Sequence, residues 1–114
     1  MARSLTNLGN RLSALGRREQ ALRAITEAVQ LYHRLSTDRL TPVVWADLAV
    51  SLNNHAVLLG EMGRHQEAMN SLEESLAVQR QHLQLPSGAS NEIREQSMRI
   101  EFWLHDLLAQ SPGQ

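Results

Sequence analysis

The chain repeats itself. Residues 2–21 read ARSLTNLGNRLSALGRREQA, and residues 49–68 read AVSLNNHAVLLGEMGRHQEA. Superposed without a gap, the two segments agree at Ala2/Ala49, Ser4/Ser51, Leu5/Leu52, Asn7/Asn54, Leu12/Leu59, Gly16/Gly63, Arg17/Arg64 and Ala21/Ala68, each pair 47 residues apart. Beyond them Ile25 faces Leu72, Glu27 faces Glu74 and Val29 faces Leu76. A fixed step held over so many positions means one structural unit used twice. Such a unit buries its apolar face by stacking on its neighbour.

Each unit reads as two helices. Leu5, Leu8, Leu12 and Leu15 recur three or four residues apart, the spacing of one helical stripe. Gly16 follows at once and suits the left-handed conformation that ends a helix. A second stripe runs through Ala21, Ile25, Ala28, Tyr32 and Leu35, widened by Leu22 and Val29. The second unit repeats the scheme with Leu48, Leu52, Ala56 and Leu59, then Gly63, then Ala68, Leu72, Leu76 and Leu83. Short connections make each pair an antiparallel hairpin.

These signals divide one domain into repeat 1 (about 2–35), a linker (36–42), repeat 2 (about 43–84), a loop (85–89), a terminal helix (about 90–109) and a tail (110–114). Thr41-Pro42 reads as an N-cap with proline at the first helical position, and Ser90 as the N-cap of the fifth helix. The apolar positions of that helix are Ile93, Ile100, Trp103, Leu104, Leu107 and Leu108. Trp103 is expected to pack on the second repeat as a cap, or else to stand exposed as an anchor for a partner.

Composition agrees with an all-α fold. Hydrophobic residues are 42% of the 114, mostly Leu and Ala, and aromatic residues only 4%. No apolar run is long enough to span a membrane, and the N-terminus leads into no secretory signal. Cysteine is absent, which excludes disulfides and thiol chemistry. The expected location is the cytoplasm. A net charge of −1 argues against nucleic-acid or anionic-membrane binding. The charge is uneven: residues 1–39 hold seven Arg against three acids, and residues 40–114 hold four Arg against nine acids. Such faces are solvated, or they attract complementary partners, including a neighbouring copy.

Leu5-x2-Leu8-Gly9-x2-Leu12, then Gly16, then Ala21-x3-Ile25 and Ala28 resembles the tetratricopeptide repeat. The second unit offers Leu52-x2-His55-Ala56-x2-Leu59, Gly63 and Ala68-x3-Leu72. Small residues fall where helices would cross closely. Departures are present: Leu5 and Leu12 replace the usual aromatic residues, His55 stands where Leu is expected, and Ser75 where Ala is. The step of 47 exceeds the usual period of about 34. The run Ser51–Ala56 looks like the long-repeat subclass of kinesin light chains and bacterial regulators. The resemblance implies an α-α superhelix of two hairpins plus a C-terminal capping helix. Repeat 1 begins abruptly, and stable arrays normally need three or more repeats. The chain is therefore expected to be a piece of a longer array, or to associate with itself.

Catalytic signatures are missing. None of the five histidines forms a His-x3-His or Glu-x2-His pair, and there is no Gly-x-Ser-x-Gly or phosphate loop. His55 lies on the packing stripe and is expected to be a hydrogen-bonded interior or interface histidine. Neither enzyme activity, nor a metal, nor a cofactor is expected. Asparagine is the informative polar residue, because it is a poor helix-interior choice without a purpose. Asn7 and Asn10 share a helix face with Arg3 and Ala14, and Asn53, Asn54, Val57 and Glu61 follow in the second unit. The resemblance implies that this face lines a concave groove, where Asn amides hydrogen-bond the backbone of a bound peptide. The same amides can instead bond between adjacent helices. Arg3 and Arg11 are candidates for a carboxylate contact. The expected function is protein or peptide recognition through Asn7, Asn10, Asn53, Asn54, Arg3, Arg11 and Val57. The alternatives are a homodimerising assembly module and a peptide-sensing regulatory domain.

Overall fold

A computed structural model describes residues 2–34, 42–83 and 88–110, with side chains described for residues 7–34, 44–83 and 91–110. The Arg3 and Leu5 side chains, Leu35, the linker with Thr41, the break at Leu85-Pro86 and the tail from Ser111 lie outside these residues, whereas Ser90, expected as the N-cap of the fifth helix, lies within that helix, which starts at Gly88.

Five helices follow one another: α1 (Ala2–Ala14), α2 (Arg18–Arg34), α3 (Pro42–Glu61), α4 (His65–His82) and α5 (Gly88–Ala109). The described residues contain no strand. The turn inside each hairpin is built from the same bonds. Gly16 adopts φ 79° and Gly63 φ 81°, a region that favours glycine. The Gly16 amide donates to the Ser13 carbonyl (3.0 Å) and the Arg17 amide to the Leu12 carbonyl (2.8 Å). Gly63 donates likewise to Gly60 (3.1 Å) and Arg64 to Leu59 (2.9 Å). Both turns are Schellman motifs, which satisfy the carbonyls left open at a helix end. The arginine carbonyl then starts the next helix, accepting from Ala21 (2.9 Å) or Ala68 (3.0 Å).

Helix α1 packs on α2, α3 on α2 and α4, and α5 on both α3 and α4, while α1 touches α3 only lightly. Small residues set the spacing. A Cβ on Gly9 would clash with Ile25 Cγ1, stand 2.9 Å from Ile25 Cδ1 and 3.2 Å from the Ala21 carbonyl. Ala21, Ala28, Ala56 and Ala68 are fully buried at the equivalent crossings. Because α3 is packed on three sides, its Leu48, Ala49, Leu52, Ala56, Leu58 and Leu59 are all buried, and its apolar residues no longer form one stripe. The result is an α-α superhelical array of two hairpins closed by a fifth helix.

The ends of the array differ from the stripe pattern. Leu12 packs against the Ala21–Ile25–Leu58 cluster, but Leu8 is 47% exposed and Leu15 71% exposed. No described helix covers that side of α1. At the other end Trp103 is partly buried against the Ala56–Leu59–Leu72 cluster, its ring over Gly60, while Phe102 is 80% exposed. Trp103 is thus a packed side chain. No helix in the described residues is long and apolar enough to cross a membrane.

Candidate functional site

The first helices of the two hairpins, α1 and α3, run side by side with a gap between them. The gap is a cleft of about 110 Å3. Asn10 and Ser13 line it from α1, and Asn54, Val57 and Glu61 from α3, above the apolar side chains of Ile25 and Leu58. Residues 54, 57 and 61 are one and two turns apart, so a single face of α3 supplies all three. Asn10 is exposed and Asn54 half-buried. Each amide therefore has donors and an acceptor to offer a ligand. Glu61 brings the cleft its ionisable side chain. Asn7 and Arg11 are exposed on α1, outside the cleft lining.

Asn53 departs from the expectation that it shares the groove. It is fully buried between α3 and α5. Its Nδ2 donates to Gln96 Oε1 at 3.1 Å, and Ser97 Oγ lies 3.1 Å from its Oδ1. The reason is angular: successive helix residues are about 100° apart, so a face centred on Asn54 cannot include Asn53. The bond partners extend the network. Gln79 Nε2 donates to Ser97 Oγ (2.8 Å) and to Ser75 Oγ (3.2 Å), and Ser75 Oγ donates to the Ala49 carbonyl (3.0 Å). Ser97 Oγ also lies 3.0 Å from the Ile93 carbonyl, and its single proton serves one acceptor at a time. Sequence reading missed this polar seam. Its one signal is Ser75, a hydroxyl where the repeat has alanine.

His55 is a half-buried polar group between helices. Its Nδ1 pairs with Ser71 Oγ at 2.7 Å and its Nε2 with Thr26 Oγ1 at 3.2 Å, so one ring ties α2, α3 and α4. Burial chiefly, and then the Arg64 guanidinium, hold its pKa below the ordinary histidine value, with the Glu67 carboxylate pulling the other way. Arg64 itself binds Glu67 through Nε (2.5 Å) and Nη2 (2.8 Å) on the surface. His33 Nε2 lies 3.2 Å from Glu74 Oε1, and the His82 ring stacks on Trp45 with centroids 3.5 Å apart. The described residues hold no group of three His, Cys, Asp or Glu side chains placed for a metal.

The family model of the tetratricopeptide repeat matches the chain twice, over residues 1–36 and 48–87. The matches start one 47-residue step apart, the step of the internal repetition. Comparison with curated proteins and with solved structures finds no match for the chain. The two family matches span both hairpins, their glycine turns and the helices that line the cleft. The chain belongs to the tetratricopeptide repeat family.

Proposed function

We propose that the chain is a recognition scaffold that holds an extended partner segment in the cleft between α1 and α3. Repeats of this family mediate protein–protein interaction, and the observation that carries the reading is the pairing of Asn10 and Asn54 in one cleft. Two amides on opposite walls meet a peptide backbone from both edges, reading main chain rather than side chain. Val57 contributes apolar contact between them, and Glu61 attracts backbone or cationic donors. Asn7 and Arg11 extend the contact along the exposed side of α1, Arg11 toward an acidic group of the partner. The scaffold is rigid where it must be, since Asn54 sits on the helix that is packed on three sides.

The experiment is a random-peptide display selection on the whole chain, followed by titration of the selected peptides. Asn54→Ala removes the amide while leaving α3 helical. Binding is expected to weaken by about 1–3 kcal/mol, as for a lost buried hydrogen bond. Unchanged affinity in both Asn54→Ala and Asn10→Ala would remove the cleft from the account. Self-association is the second reading. It is favoured by the large apolar side chains that stand exposed at both ends of the array, Leu8 and Leu15 on one, Met98 and Phe102 on the other.

A further inference from the structure

The exposed large apolar side chains of the described residues form two pairs, one on each terminal helix of the array. Leu8 lies on α1 and Leu15 directly after its last residue, two turns on, with its amide still bonded to the Arg11 carbonyl (3.1 Å), so the two share one side of the helix. Ser13 marks the side of α1 that borders the cleft toward α3, and the helical rotation puts Leu8 and Leu15 on the opposite, outer side. Met98 and Phe102 are one turn apart on α5, 60% and 80% exposed. They lie across the helix from Ile93, Ile100 and Leu104, which are buried against the array. Each terminal helix thus buries one face and leaves an apolar pair on the other.

The charges of the two helices are opposite. On α1 the helical rotation places Arg11 beside Leu8 and Leu15 on the outer side, whereas Arg3 belongs to the side of Asn7 and Asn10, and the helix holds no acid. On α5 the helical rotation places the exposed carboxylates of Glu95 and Asp106 beside Phe102, and Arg94 beside Met98. Arg11 on an α1 face can pair with Glu95 or Asp106 on an α5 face, whereas two α1 faces bring only arginines together. We infer that copies of this chain stack head to tail, the outer face of α1 in one copy lying on the outer face of α5 in the next. The occupant of both faces is a second copy. The contact is heterologous, because the two surfaces that meet are different. Each copy that joins therefore still offers one α1 face and one α5 face, and growth is open-ended. This inference rests on the self-association reading and adds its direction to it.

Two variants of the whole chain test it. Leu15→Glu blocks the α1 face, and Phe102→Glu blocks the α5 face. Both residues are exposed, so neither change empties the core, and circular dichroism checks that helicity is kept. Sedimentation velocity from micromolar to millimolar protein reads the assembly state. The parent chain is expected to show a series of species that grows with concentration and shortens at high salt. Each variant alone is expected to be a monomer. An equimolar mixture is expected to form a one-to-one dimer and stop, because one free α1 face meets one free α5 face. Phe102→Leu, which keeps the position apolar and uncharged, is expected to weaken stacking less than Phe102→Glu by about tenfold or more. A parent chain that stays monomeric throughout overturns both the self-association reading and this inference. A closed dimer that survives Leu15→Glu, or a mixture of the two variants that stays monomeric, overturns head-to-tail stacking alone.

Discussion

His55 shows how one departure from a repeat pattern is accommodated. A leucine there would need only an apolar pocket. The imidazole needs partners, and Thr26 and Ser71 supply hydroxyls from the two flanking helices. Burial and the Arg64 guanidinium lower the pKa of the ring and so favour its neutral form. Protonation is therefore harder in the folded chain than in the unfolded chain, where the pKa is about 6.5. The unfolded state binds the extra proton first as pH falls, so the stabilisation is present above about pH 6.5 and is lost below it. The groups facing the ring are Thr26 from α2, Ser71 and Glu67 from α4, and Arg64 at the start of α4. Thermal melts between neutral and mildly acidic pH are expected to show the parent chain losing stability more steeply than His55→Gln, which keeps a hydrogen-bonding group without the titration. Equal slopes would show that another group sets the acid sensitivity. That His55 is a hydrogen-bonded residue between helices was legible in its place on the apolar stripe. That Asn53 is interior was not read, although the turn of the helix between Asn53 and Asn54 carries that information.

Among the elements, the two glycine turns were the most legible, because a Gly directly after an apolar stripe has a single backbone explanation. The stripe of α1 was legible as a stripe but not in its burial. Periodicity says which residues share a face, and only the neighbours decide whether that face is covered. Leu8 and Leu15 follow the period and stand in the open. The docking of α5 depends on Gly60, for which no sequence signal was read. A Cβ at Gly60 would stand 2.7 Å from Trp103 Cη2, 2.8 Å from Trp103 Cζ3 and 3.0 Å from Leu104 Cδ2. The indole is a stiff plate already partly buried, so it yields only if α5 moves with it. Gly60→Ala gains helix propensity worth about 1 kcal/mol. Overpacking of this kind costs about 1–3 kcal/mol, so the net effect is destabilising or near zero. The sharper readout is structural: amide chemical shifts of α5 are expected to move while those of α1 stay in place. Unmoved α5 shifts would mean that the indole does not rest on Gly60.

For the whole molecule, the unequal packing of the ends predicts unequal stability. Among the described residues α1 buries only Gly9, whereas α5 buries Ile93, Ser97, Ile100 and Leu104. The α5 contact also contains the buried seam of Asn53, Gln96, Ser97, Gln79 and Ser75. Ser, Gln and Asn read as surface residues in a sequence, so the seam was the least legible part of the fold. Its polar groups are satisfied, since no buried side-chain nitrogen or oxygen among the described residues lacks a partner. A satisfied network holds one arrangement of α5 against α3 and α4, because any shift leaves a buried polar atom unpaired. Stacked repeats exchange stability mainly with their neighbours, so damage to the seam should stay local. Asn53→Ala removes the amide and leaves Gln96 Oε1 without its donor, while Ser97 keeps Gln79 and the Ile93 carbonyl, at an expected cost of about 1–3 kcal/mol. Native-state hydrogen exchange is the appropriate measurement. In the parent chain α1 amides are expected to exchange first and those of α3 last. In Asn53→Ala, protection in α5 is expected to drop toward the level of α1, while α1 itself is unchanged. A uniform loss across all five helices would instead mean that the array unfolds as a single unit, with the seam contributing to global stability and not to the seating of its last helix.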